Sequence, residues 1–414
     1  VRTVGLIVEY NPFHNGHLYH LQQSVKITEA NAVVAVMSGH FLQRGEPALA
    51  DKWTRTEMAL RGGCDLVLEL PVAYSAQAAE WFAYGAVATL DATGVVDALC
   101  FGSEGGDLAP MRRVARELAS ESPPFASLLA DKLADGVSYP SAYGAAVKAY
   151  MSAKGDADAA AFAFDQPNNT LGLHYLLALE RLVSPMTPYT IKREKAGYSQ
   201  TDITDTQIAS ATAIRKLILE QGSPDAAAPF IPFTTLDLLA GSSRAEARVS
   251  WRLYERSLFH KLLSEPAEML AAYHEVTEGL EHRIKNALPS LPALTFEALL
   301  EALKTKRYTR TKLQRALLAI LLGHRKTDMT RERLTTGVEY IRVLGFTPKG
   351  RELLKRMRKD ARLPVLLSAA DARSASRYLQ MDVEATSVYA LAEPNTDAKM
   401  LFRDYYGKPV MLER

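Results

Sequence analysis

VEYNPFHNGHLYHL, residues 8–21, lies between a run that reads as a short strand (TVGLIV, Thr3–Val8) and one that reads as a helix (GHLYHLQQSVKI). Asn11-Pro12 marks a turn between the two. Gly16 lets backbone approach a ligand closely, and the unpaired amides of a helix start attract phosphate. His14 and His17 bracket Asn15-Gly16 at that point. Two imidazoles so placed donate to phosphate oxygens and stabilise charge on an α-phosphate as a nucleophile attacks and pyrophosphate leaves. Such a transfer rests on positioning and electrostatics, so it requires no protein nucleophile. No Cys or carboxylate stands nearby at ligand spacing, which argues against a zinc site. Glu9 reads as a polar residue at a strand end rather than as a general base.

Outward from this turn, the first 105 or so residues alternate strand and helix. AVVAVM, DLVLEL and VVDALCFGS are strand-like; DKWTRTEMALRGG and AQAAEWFAYGAVATLDATG are helix-like, the first ending on two glycines. Strands apolar on both faces, separated by amphipathic helices, imply a parallel sheet with helices on each side. About 108–164 reads as an Ala-rich helical excursion. QPNNTLGLHYLLALERL is then a helix, TPYTIKRE a late strand, and ASATAIRKLILEQG a helix with Ser210 as N-cap and Gly222 past its end. The tract GSPDAAAPFIP marks a boundary. We therefore expect an α/β Rossmann-like parallel-sheet domain over 1–225 and a mainly helical region over 226–414. In the latter, helical periodicity dominates to about Arg362, and LPVLLSAA and KPVML are possible strands.

The 414-residue chain carries a net charge of +2, and its composition is that of an ordinary globular protein. No apolar run reaches membrane-span length, and no leader precedes the first strand, so the expected location is the cytoplasm. Cys64 and Cys100 each sit in an apolar run and read as buried thiols. The charge is unevenly spread. From Lys304 to Arg362 there are 18 Lys and Arg against 5 Asp and Glu, a local +13 that leaves −11 for the rest. A basic segment on an otherwise acidic chain points to a polyanion, most simply nucleic acid.

His-Asn-Gly-His at the first strand-to-helix turn resembles the HxGH motif of the nucleotidyltransferase superfamily, and Ser210-Ala-Thr212-Ala-Ile-Arg215 resembles its Ser-x-Thr-x-x-Arg phosphate motif. More closely, VGLIVEYNPFHNGHLYHL, MSGHFLQRGEPALADKWTRTEMAL, GCDLVLELPVAYSAQAAEWFAYGAV, CFGSEGGD, QPNNTLGLHY and ASATAIRK together resemble the bacterial tRNA(Met) cytidine acetate ligase family. The likeness is dense over roughly 3–107 and 166–220. It implies that ATP and acetate form acetyl-adenylate, whose acetyl group passes to N4 of the wobble cytidine of elongator tRNA(Met). It implies catalytic roles for His14 and His17. It also implies an ATP site of Ile7, Val8, Glu9, Tyr10, Asn11, Pro12, Phe13, His14, Asn15, Gly16, His17, Leu18, Tyr19 and His20, with Gly102, Asn168, Arg193, Ser210, Thr212 and Arg215. Gly102 is expected to lie under the nucleotide, where a side chain would collide with it. Magnesium would accompany the ATP phosphates, with no protein ligand assigned.

One departure stands out: the family's Ser-Gly-Asn-Phe is here Ser38-Gly39-His40-Phe41. An imidazole titrates near neutrality, so a changed pH profile is expected. Gln43, Arg44 and Lys52 are polar candidates for acetate, phosphate or RNA. For tRNA the basic segment offers Arg307, Arg310, Lys312 and Arg315, and then Lys355, Arg356, Arg358 and Lys359; Tyr308 and Phe346 are stacking candidates. No membrane or protein partner is implied. Two competing readings remain: a small-metabolite adenylyltransferase, and a catalytically inactive nucleotide- and RNA-binding protein.

Overall fold

The run Thr3–Val8 is strand β1, and the strands expected after it form in order: β2 Ala32–Ser38, β3 Leu66–Leu70, β4 Ala98–Ser103 and β5 Thr187–Lys192. In the computed structural model, which describes residues 2–120, 122–193, 209–241 and 248–413, they lie side by side and parallel in the order β5-β4-β1-β2-β3. β1 and β2 pair from Thr3 on Ala32 to Val8 on Met37.

Side chains alternate across the sheet and build two cores. On one face Val4, Leu6, Val33, Ala35 and Cys100 pack with helices α1 (Asn15–Thr28), α2 (Lys52–Gly62) and, through Ala213, Ile214 and Ile218, a later helix, Ala211–Gln221. On the other, Val34, Val36, Leu68 and Phe101 meet α3 (Ala79–Ala92) and α4 (Pro167–Arg181). The helix Ala211–Gln221, hereafter α5, starts on the Ser210 cap and ends on Gly222 at φ 67°, a left-handed geometry that glycine accepts without strain. Cys64 and Cys100 are buried, as their apolar settings suggested.

The excursion is helical: Leu108–Leu118, Pro123–Ala134, Tyr139–Ala153 and Ala157–Ala161. The C-terminal part departs from its expected pattern in one respect. Ile341–Phe346, within the stretch read as helical, is a fully buried strand, β6, antiparallel to β3. β7 (Val365–Leu366) and β8 (Val410–Met411), the two possible strands, both pair with β6. Arg342 inside IRVLGF, and the basic helix after it, obscured six consecutive positions buried on both faces, which carry no alternation. The remaining C-terminal chain is mainly helical. It includes α6 (Arg310–Leu322), α7 (Pro348–Asp360) and α8 (Arg377–Ala390).

Candidate active site

At the C-terminal end of β1 the chain passes through Tyr10, at a left-handed φ of 49°, and a cis Asn11–Pro12 bond into α1. His14 is the N-cap. Its Nδ1 accepts the His17 amide at 3.3 Å, while His17 Nδ1 accepts the His14 amide at 3.2 Å. This is a capping box made of two imidazoles instead of Ser and Glu. The rings stack with centroids 3.6 Å apart. Because both Nδ1 atoms accept, each ring proton sits on Nε2. Burial, and then Arg193 and Arg215, hold His14 down at about 3. Burial, then His14 and Arg193, hold His17 well below the usual range, with the Pro12 carbonyl pulling weakly the other way. Both are neutral N–H donors at any working pH. His20, held to about 4 by burial and Arg193, keeps a buried Nε2 with no partner among the described residues.

The second phosphate motif folds against the first. Arg215, one turn into α5, donates to the Asn11 carbonyl at 2.9 Å and pairs with Glu46 at 3.2 Å. Thr212 Oγ1 lies 3.5 Å from its guanidinium, and the Ser210 hydroxyl oxygen accepts the Ala213 amide. Just past β5, Arg193 reaches Asn168 at 3.5 Å. Glu104 receives the Asn168 side-chain amide and the Asn168 and Asn169 backbone amides, so a carboxylate seals the start of α4. A Cβ on Gly102 would stand 3.1 Å from Arg193 Cγ and 3.8 Å from His20. The nearest obstacles are therefore the side chains that frame the cavity.

One cavity of about 310 Å³ gathers these groups. Its wall includes Ile7, Val8, Glu9, Tyr10, Asn11, His14, Gly16, His17, Tyr19, His20, Gly102, Asn168, Arg193, Ser210, Thr212 and Arg215. The other four expected residues are not on its wall. Phe13 is fully buried against Gly62, Leu18 packs into the α1 core, Asn15 donates to the Pro229 carbonyl, and Pro12 sits in the turn. The wall also holds residues that the motifs did not single out: Leu42, Glu46, Phe82, Phe101, Leu171, Tyr175, Ile191 and Lys192. Leu171 and Tyr175 follow Asn168 at helical spacing, a signal legible once Asn168 is placed. Gln43 and Arg44 line the cavity, as two of the three polar candidates.

Lys52 does not. It is fully buried, with Nζ 2.7 Å from Glu69 and 2.8 Å from Asp404, and Arg342 lies 2.7 Å from Asp404. These charges tie α2, β3, β6 and the C-terminal chain together. His40 is also outside the cavity, stacked on Tyr389 with Nδ1 3.3 Å from Thr386 Oγ1. Burial and then Lys52 push its pKa well down. The expectation of a shifted pH profile is thereby corrected: a neutral, enclosed imidazole does not titrate near pH 7.

The basic candidates fall in two places. α6 packs at the cavity rim, where Gln314 donates to the Arg44 carbonyl and the Arg315 backbone abuts Gly45. There Arg307 and Lys312 face Glu278, Arg310 pairs with Glu297, and Arg315 is largely buried against Glu275. α7 lies at the opposite end of the sheet. Gly350 touches the Asp65 carbonyl before β3, and the Asp360 carbonyl abuts Gly94 before β4. Its Lys355, Arg356, Arg358 and Lys359 are exposed. Tyr308 is buried with its hydroxyl on the Thr277 and Glu278 carbonyls, and Phe346 is buried in β6. Among the described residues, no group of His, Cys, Asp and Glu is placed to hold a metal, and no helix is long and apolar enough to cross a membrane.

The sequence model of the HIGH nucleotidyl transferase family matches residues 1–404. A tRNA(Met) cytidine acetate ligase of Acetivibrio thermocellus is 40% identical over 407 residues, covering 95% of this chain and 96% of the relative. One of Lysinibacillus sphaericus is 39% identical over 414 residues, covering 99% and 100%. The chain belongs to the tRNA(Met) cytidine acetate ligase family. Its fold agrees: the crystal structure of Thermotoga maritima TmcAL superposes with a TM-score of 0.91 at 33% identity over the whole of both chains. A second structure of that protein, bound with alpha-thio ATP, gives 0.89 at 33% identity, again over both whole chains. Within the family fold, His14-Asn-Gly-His17 and Arg215 occupy one cavity at the end of β1.

Proposed function

We propose that this protein is an ATP-dependent tRNA(Met) cytidine acetate ligase. It activates acetate as acetyl-adenylate and transfers acetyl to N4 of the wobble cytidine of elongator tRNA(Met), giving N4-acetylcytidine and AMP. The reciprocal cap of His14 and His17 carries this reading. It uses both Nδ1 atoms and sets both rings on the wall of the cavity that Arg215 shares. Donors fixed in advance and held neutral need no reorganisation as charge builds on the α-phosphate.

ATP enters as its magnesium complex, with Arg215 and the start of α5 on the pyrophosphate side. To take up phosphate, Arg215 exchanges Glu46 for the incoming oxygens. Asn168, Arg193 and His20 frame the nucleoside side. Acetyl-adenylate is shielded from water at the sheet edge until cytidine arrives. The tRNA lies over the cavity rim beside α6, with Arg44 and Arg310 facing its backbone and the unpaired anticodon base entering the site. The near-full-length ligase relatives favour this over a small-metabolite adenylyltransferase or an inactive RNA-binding protein.

The test is incubation with ATP, labelled acetate and bulk tRNA lacking N4-acetylcytidine, followed by nucleoside mass spectrometry. ATP-dependent labelled N4-acetylcytidine is expected. Pyrophosphate release without label in tRNA would mean a different acceptor, and neither product from a folded, ATP-binding protein would overturn the enzyme reading.

A further inference from the structure

The cavity wraps around the C-terminal end of β1, and its two sides differ in chemistry. Val4 and Leu6 pack into the α1 core and Ile7 against the α3–α4 core. Strand alternation thus places Glu9, two residues after Ile7, on the α3–α4 side. Its bonds agree: Glu9 Oε2 accepts from Ser38 Oγ at 3.1 Å and from the Gln43 amide at 3.0 Å. On this side Phe82, Phe101 and Leu171 give the wall apolar surface, beside the polar Gln43, Asn168 and Tyr175. The phosphate-facing groups, His14, His17 and Arg215, belong to α1 and α5 on the other side.

Displacement at a phosphate proceeds with attacking and leaving oxygens roughly in line. With pyrophosphate leaving toward Arg215, acetate attacks from the α3–α4 side, and the acyl carbon of the adenylate is left there. That is where cytidine must approach, and its amine must shed a proton as the new bond forms.

We propose that Glu9 is the general base of acetyl transfer. The N4 lone pair forms the bond to the acyl carbon, the bond from that carbon to the phosphate oxygen of AMP breaks with its electron pair on AMP, and one N4 proton passes to Glu9 Oε1. The protonated carboxyl then returns its proton to solvent. Other acceptors on the wall are engaged or misplaced. His14 and His17 use Nδ1 in the cap, Glu46 stands beside Arg215 on the phosphate side, and His20 belongs to α1 on that same face of the sheet. Burial raises the Glu9 carboxyl from its ordinary value, against the pull of the Gln43 and Ser38 bonds, which strengthens it as a base. This assignment rests on the ligase reading above.

The test compares two steps in Glu9→Gln, which keeps the shape and an oxygen for Ser38 and Gln43. Acetate-dependent ATP–pyrophosphate exchange reports adenylate formation, and single-turnover transfer to tRNA reports the second step. Transfer per adenylate formed is expected to fall about a hundredfold, within the usual range for a lost base. A proportional fall in both steps, or unchanged transfer per adenylate, would overturn the role. If Glu9→Gln does not fold, Glu9→Asp carries the test, with transfer per adenylate down about tenfold for the withdrawn base. Wild-type protein showing no acetate-dependent exchange would sink the ligase reading itself, independently of Glu9.

Discussion

His14, His17 and His20 at the end of β1, and Lys52, Glu69, Asp404 and Arg342 around β3 and β6, are both buried polar clusters, yet they are wired differently. In the first, His14 and His17 hold each other through Nδ1, and all three rings line a cavity. In the second, Lys52 is shared between two carboxylates and Thr386, and Arg342 closes on Asp404. One cluster keeps donors in reserve for a ligand; in the other, the charges serve each other and fasten the C-terminal chain to the sheet. Polar burial by itself does not mark an active site.

The largest effect expected from this contrast is on stability. Lys52→Met leaves Glu69 buried without its cation and Asp404 with Arg342 alone, and should cost about 3–5 kcal/mol in urea unfolding. A cost under about 1 kcal/mol would mean that the second cluster is not the fastening described. His17→Ala should instead lower adenylate formation by about 10²–10³, while the broken cap costs about 1 kcal/mol. Retained acetate-dependent pyrophosphate release in that variant would remove the histidines from the chemistry.

Acid sharpens the same comparison. His14, His174 and His324 are each held near 3 when folded, chiefly by burial, against about 6.5 unfolded. Between those values the unfolded chain binds more protons, so stability rises with pH and is lost as pH falls. The slope approaches about 1.4 kcal/mol per pH unit for each such histidine. Urea midpoints from pH 7 to 4 check it, and a flat series would contradict the burial. Replacing Arg307, Arg310 and Lys312 by Ala at the cavity rim should weaken tRNA binding about tenfold and flatten its salt dependence. The same change at Lys355, Arg356 and Arg358, about 20 Å away along the strands, should do less; equal losses would place the RNA elsewhere. The smallest effect is for His40→Asn, which should leave the pH–rate profile of adenylate formation unmoved.

Much of the sheet was legible because each parallel strand is a short apolar run between amphipathic helices, and the strand TVGLIV has the same bounds in the structure. The Ser210 cap and Gly222 stop were legible because cap chemistry is local. IRVLGF was not, since a strand buried on both faces has no alternation and this one carries an arginine, Arg342. His40 and Lys52 were misplaced for a related reason. They stand in a segment dense with site residues, but Thr386, Tyr389 and Asp404, more than 300 positions away, enclose them. Likewise Phe82, Phe101 and Tyr175 look like any core aromatics until the chain brings them to the cavity wall.

By itself, the sequence determined what depends on neighbours within a turn or two: the strand–turn–helix at His14-Asn-Gly-His17, the capped helix that carries Arg215, the parallel α/β class and the family. Only the tertiary structure decided which polar groups keep capacity for a ligand and which are consumed by partners. It set Glu9 on the α3–α4 side of β1, closed Lys52 between two carboxylates, and placed one basic helix at the cavity rim and the other at the far end of the sheet. The physical reason is that capping and periodicity are satisfied by adjacent residues, whereas desolvation and ion pairing depend on whatever the fold brings within a few ångströms.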